Sequence, residues 1–214
     1  MMNLIMACSN LFEESGFKDA DEPVRLVVGQ WPENKCYPQV LVKVLVLNAI
    51  YRTFLFTTAG DALAKHICFL AVEKDLDVRM NRGDLDVITS IRQEHSFKRK
   101  KTVGVWDFYS FATKYCCWHR PESYPMYDAC ADMSLRAVAE RLGFAKPRSL
   151  NFRDYSVYKD TVDAVKKQLG LTMNYKQLDQ GLWLLGKYLA NQLTGIPKIA
   201  DEISKQAELA GLKK

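Results

Sequence analysis

Lys114 and Asp128 are the two residues of this chain whose types and spacing best suit chemistry. They flank a short run that holds Trp118, His119, Pro121, Tyr124, Pro125 and Tyr127. A carboxylate can stabilise positive charge that develops on carbon, and a neutral amine can attack an electrophilic carbon. Aromatic rings nearby supply flat walls. The set suits a pocket for a flat polar group with an acid or nucleophile at its mouth. Each residue also has a plain structural use. A carboxylate that opens a helix is a cap worth about 1 kcal/mol. A helical lysine is usually surface, and Tyr, Trp and His are usually core or rim.

Two helical patterns must position these residues, within a catalytic-like segment running over 106–143. The first, 106–118, puts Phe108, Tyr109, Ala112, Tyr115 and Cys116 on one side and Lys114 with Trp118 on another. Pro121 ends it, and Pro125 holds Tyr124 extended. Asp128 opens the second pattern as its cap, and Gly143 closes it.

Upstream, Val40 to Phe56 is the strongest apolar run, interrupted by Lys43, Asn48 and Arg52. It predicts a central helix over 39–53 with Pro38 in its first turn. A core Asn48 needs hydrogen-bond partners, or else sits at the floor of a cleft. A following helix, capped by Asp61 or Thr58, carries His66. Asp84 caps a short one with Leu85, Ile88 and Ile91 inward. Residues 24–28, VRLVV, read as a strand bounded by Pro23 and Gly29. Lys98, Arg99, Lys100 and Lys101 form a basic run suited to phosphate contact. Downstream, helices are expected over 154–169, 174–192 and 197–210. Gly181 and Gly186 flank Trp183 in the second of these, which points to close helix packing.

The expected fold class is all-α, a compact bundle of about eight helices. A chain of 214 residues suffices for a single globular unit, 1–214, or for two helical lobes sharing a cleft. The net charge of +5 permits a polyanionic partner. Six cysteines lack metal-ligand spacing, so no metal and no metal cluster is expected, and a reducing, cytoplasmic setting fits them. No segment reads as a signal peptide or a membrane span. There is no P-loop, no GxGxxG and no HExxH.

The run ATKYCCWHRPESYPMYDACADMSLRAVAERLG, residues 112–143, resembles the helix-hairpin-helix DNA glycosylase superfamily. The resemblance lies in a helix bearing a lysine, a proline-containing loop, and an aspartate opening a helix that ends in R-x-x-x-x-R-L-G. In element order it extends over residues 39–143. The glycine-rich hairpin that the superfamily places before the lysine is absent here, and so is its cysteine cluster loop. The resemblance implies a glycosylase-like fold with a cleft between helical lobes, and double-stranded DNA as partner. It implies Asp128 as the aspartate needed to break an N-glycosidic bond, and Lys114 as the candidate nucleophile of members with lyase activity. Asn48, with Thr53, and Trp118, His119, Tyr124, Tyr127 and Trp183 would line the base pocket. Lys98, Arg99, Lys100, Lys101, Arg120, Lys146 and Arg148 would grip phosphates. No cofactor is implied. The expected function is release of a damaged or modified base after base flipping, in repair or in defence against phage with modified DNA. The alternatives are a non-catalytic helical nucleic-acid-binding protein and a protein-interaction module.

Overall fold

A computed structural model of the chain describes residues 1–53, 57–92 and 107–212. Regular structure among them is helical throughout. The helices are α1 (Met2–Glu14), α2 (Phe17–Gln30), α3 (Tyr37–Tyr51), α4 (Thr57–Glu73), α5 (Leu76–Asn81), α6 (Asp86–Arg92), α7 (Tyr109–His119), α8 (Ala129–Arg141), α9 (Tyr155–Leu169), α10 (Tyr175–Leu189) and α11 (Pro197–Leu209), with a 3-10 turn at Pro147–Ser149. These eleven exceed the expected number because the region before Trp31 makes two helices and a short α5 precedes α6. The chain forms two compact units, Asp19–Tyr124 and Met1–Lys18 with Pro125–Lys214. The boundary falls inside the segment 106–143.

In the unit Asp19–Tyr124, the expected strand at 24–28 is helical instead. A strand would put Val24, Leu26 and Val28 on one face. Here Val24 and Val28 are buried, one helical turn apart, while Leu26 is 56% exposed. Pro23 lies inside α2 and itself offers no N–H to the carbonyl one turn back.

Helix α3 starts with Pro38 in its first turn and ends at Arg52 in the left-handed region, φ 48°. It is less central than its apolar run suggests. It buries Val40, Lys43, Val44 and Leu47, whereas Val42 and Leu45 are exposed. Helix α4 packs along it in the opposite direction. Gly60 faces Val44 and Leu45. Further back along α3 and further on along α4, the Tyr37 hydroxyl donates to Asp61 and Lys65 sits over the Tyr37 ring. Asp61 therefore lies within α4 and pairs with Lys65 at 2.9 Å rather than capping the helix. The Thr58 side chain lies outside what is described. Asp84 Oδ1 accepts from the Asp86 N–H at 2.9 Å, and α6 buries Val87, Ile88 and Ile91.

The middle of this unit is α7. Tyr109, Phe111, Ala112, Thr113, Lys114, Tyr115, Cys116, Cys117 and His119 are all buried. One of its buried hydroxyls is satisfied within the helix, with Thr113 donating to the Ser110 carbonyl at 3.1 Å.

In the other unit, α10 is held between α1 and α8, and its two glycines explain how. A Cβ on Gly181 would stand 2.9 Å from the Ile5 carbonyl of α1, and one on Gly186 would overlap the Cys130 backbone of α8. Hydroxyls cross both contacts. Ser9 donates to the Gln177 carbonyl at 3.2 Å, and Ser134 to the Leu182 carbonyl at 2.7 Å. Asn174 and Gln177 form a capping box at the start of α10.

Candidate active site

On the α7 side, Lys114 is 2% exposed. Its Nζ donates to the Ser110 hydroxyl, one turn back, at 2.8 Å and lies 5.7 Å from the centre of the Tyr51 ring. Trp118, one turn on, donates its indole N–H to the Tyr51 hydroxyl at 3.1 Å. Lys114 and Trp118 thus share a face, as their spacing predicts, and both meet Tyr51 of α3. Asn48 is half-buried and accepts from the Thr53 hydroxyl at 2.8 Å.

His119 belongs to a buried polar network that the sequence reading did not identify. Its Nδ1 faces the Tyr115 carbonyl at 2.8 Å, so that nitrogen carries the hydrogen, and Nε2 accepts from Lys43 Nζ at 3.2 Å. Lys43 Nζ also lies 2.9 Å from each of the Trp31 and Glu33 carbonyl oxygens and close to Asn34 Oδ1, so its three N–H groups are shared among four acceptors. Asn34 Oδ1 accepts from the Tyr115 hydroxyl as well. The Asn34 backbone and side-chain N–H groups donate to the Asp77 carboxylate at 3.0 and 2.6 Å. Burial brings Lys43 down to about 8, with Asp77 acting against it. Burial, then the Lys43 charge, lowers His119 from 6.5 to about 3. The only sequence signal was a lysine in the apolar face of α3.

Tyr124 is fully buried and donates to the Met80 and Asp84 carbonyls at 3.3 and 3.0 Å. Burial raises its hydroxyl well above the usual tyrosine range. Arg120 donates to Asn81 Oδ1 and to the His119 carbonyl.

On the α8 side, Asp128 caps the helix as expected. Its backbone is extended, φ −151°, and Oδ1 accepts from the Ala131 N–H at 2.8 Å. Gly143, φ +81°, ends the helix. The Gly143 N–H bonds the Glu140 carbonyl at 3.1 Å and the Phe144 N–H bonds the Ala139 carbonyl at 2.9 Å. The two arginines of the R-x-x-x-x-R-L-G run act within this unit. Arg136 pairs with Asp132, donates to the Pro147 and Leu150 carbonyls and stacks on Phe152 at 4.2 Å. Arg141 donates to the Ala210 carbonyl at 3.2 Å. Tyr127 is half-buried, bonded to Asp132 at 2.9 Å and edge-on to Tyr158. Trp183 packs edge-on against Phe12 and Phe17, with Lys187 over its ring. Lys146 is exposed with φ 48°, and Arg148 is exposed and paired with Glu140 at 2.9 Å.

Lys114, Trp118, His119, Arg120, Tyr124 and Asn48 thus belong to one unit, and Tyr127, Asp128, Lys146, Arg148 and Trp183 to the other. Neither unit alone holds both Lys114 and Asp128. Lys98, Arg99, Lys100 and Lys101 lie outside the described residues. Among the described residues, no group of three or more His, Cys, Asp or Glu could hold a metal ion, and no helix is long and apolar enough to cross a membrane.

Comparison with known proteins adds three findings. The HI_0787_N family, described as an N-terminal domain, matches residues 3–123. An uncharacterized protein of Haemophilus influenzae is 32% identical over 148 residues, which cover 69% of this chain and 66% of that relative. The chain therefore spans slightly less than two thirds of the relative's length. No solved structure matches the chain.

Proposed function

We propose that this chain, which belongs to the HI_0787_N N-terminal domain family, is a DNA glycosylase that releases a damaged or modified base by hydrolysis. Asp128 carries the proposal. Its carboxylate stands at the first turn of α8 and is oriented by the Ala131 N–H at 2.8 Å. A fixed negative charge there suits the oxocarbenium ion that forms at C1′ as the N-glycosidic bond breaks, and suits the water that attacks it. The target nucleotide would leave the duplex to reach it. Arg120, Lys146, Arg148 and the Lys98–Lys101 run are the cations suited to phosphate contact, and such contacts position a duplex without reading its sequence.

Lys114 is assigned a supporting part. An amine that is 2% exposed and bonded to Ser110 is poorly placed to attack a flipped sugar, so the proposal names water as the nucleophile. The second reading is a non-catalytic helical nucleic-acid-binding protein. It is favoured by the fact that the Ala131 bond of Asp128 and the Ser110 bond of Lys114 each account for their residue without chemistry.

The test is alkali-revealed strand cleavage on a panel of damaged-base duplexes and phage DNAs carrying modified bases, with Asp128→Asn alongside. New abasic sites in one substrate, absent with Asp128→Asn, are expected. Borohydride should trap no protein–DNA adduct. An adduct lost in Lys114→Gln would restore the lyase reading. Full activity in Asp128→Asn, or silence across the panel with salt-sensitive DNA binding intact, would sink the glycosylase.

A further inference from the structure

The register of α3 on α4 brings two cysteines to the same level of the helix pair. Gly60 of α4 lies against Val44 of α3, and the helices run in opposite directions. Eight residues back from Val44 is Cys36, and eight on from Gly60 is Cys68. Tyr37, next to Cys36, already reaches across to Asp61 and Lys65. Asp61, Lys65 and Cys68 follow one another along one side of α4 at helical spacing. Cys36 is the N-cap residue of α3, extended at φ −97°, exposed and free, and Cys68 is free and half-buried.

We propose that Cys36 and Cys68 are a thiol pair that low-molecular-weight disulfides convert to an intramolecular disulfide, fastening the start of α3 to α4. Cys36, the accessible sulfur, takes the first step. Its thiolate attacks a disulfide RSSR, forming Cys36–S–S–R and releasing one RS⁻. The Cys68 thiolate then attacks the Cys36 sulfur and releases the second RS⁻. Two protein thiols are oxidised, RSSR is reduced to two RSH, and the two protein protons pass to the released thiolates. The Cys68 thiol is held above its ordinary value first by burial and then by the Cys36 charge, which places the two sulfurs within electrostatic reach of each other. Reduced Cys68 is therefore the slower thiol, suited to resolving rather than initiating. Cys8, Cys116 and Cys117 are buried and offer no such access.

The test treats the full-length native protein with oxidised glutathione, alkylates the remaining thiols and maps the peptides without reduction. A cross-linked peptide pair containing Cys36 and Cys68 is expected, with mass lower by two hydrogen atoms and no bound glutathione. Thermal denaturation should shift to higher temperature and return on reduction. In Cys68→Ser, glutathione should remain on Cys36. In Cys36→Ser, Cys68 should stay reduced over the time that completes the bridge in the natural chain. Stable glutathione on Cys36 of the natural chain with Cys68 free would overturn the proposal, and so would either cysteine bridged to a different partner.

Discussion

The Asp128 carboxylate caps α8, the proposed function gives it a second use, and substitution can separate the two. Asparagine caps a helix about as well as aspartate. Asp128→Asn should therefore unfold at nearly the same denaturant concentration as the natural protein while losing base release. Asp128→Ala should lose both, with about 1 kcal/mol of stability gone as the Ala131 N–H is left without its acceptor. His119 makes a prediction about acid. The folded chain resists protonating this ring until about pH 3, whereas the unfolded chain takes up the proton near pH 6.5. Between those values the unfolded state binds more protons, so stability falls as the pH falls, by up to about 1.4 kcal/mol per pH unit from this group. Urea titrations across that window should show the slope, and His119→Gln should flatten it. A slope unchanged by His119→Gln would mean that the ring titrates normally. Lys43→Met should cost roughly 1–3 kcal/mol in the same assay, because it removes the buried donor shared by the Trp31 and Glu33 carbonyls, Asn34 Oδ1 and His119 Nε2.

Of the helical glycines described, Gly186 leaves the least room for a side chain. Alanine there gains about 1 kcal/mol of helix propensity but must push α10 away from the Cys130 backbone. A net loss of about 2 kcal/mol is expected, seen as a lower urea midpoint, with a smaller loss for Gly181→Ala. This packing was legible in the sequence, as were the Asp128 cap and the Gly143 stop, because each rests on local chemistry. What escaped was burial imposed by neighbours. The apolar run of α3 suggested the centre of the fold, yet α7, with Lys114, Thr113 and His119 in it, is the more buried helix. Hydropathy cannot report that a lysine finds Ser110 or that a histidine finds a second lysine. VRLVV misled for a related reason. β-branched residues favour strands only weakly, and one buried side with a four-residue repeat suits a helix as well. The candidate site was legible in the same partial way. Asp128 was placed correctly on its helix, while the burial of Lys114 could not be read from its spacing.

For the whole molecule, the proposed function predicts DNA affinity that falls steeply with salt. Replacing Lys98, Arg99, Lys100 and Lys101 with glutamine should flatten the plot of log affinity against log salt by about 0.9 for each phosphate contact removed. Titration of a fluorescent duplex at several salt concentrations measures this, and an unchanged slope would remove the run from the interface. The division into two units also bears on when the chain can fold. Helix α1 packs on α10, and the unit they share is interrupted by all of Asp19–Tyr124. The residues matched by the family, 3–123, include α1 but stop before α10. During synthesis α1 leaves the ribosome before α2 to α9 and waits for all of them before its partner α10 appears, with Leu4, Ile5, Cys8 and Phe12 uncovered until then. That long-range closure makes the docking of α1 a late event in folding. Its unburied apolar face makes the nascent chain, rather than the finished protein, the form most in need of a chaperone.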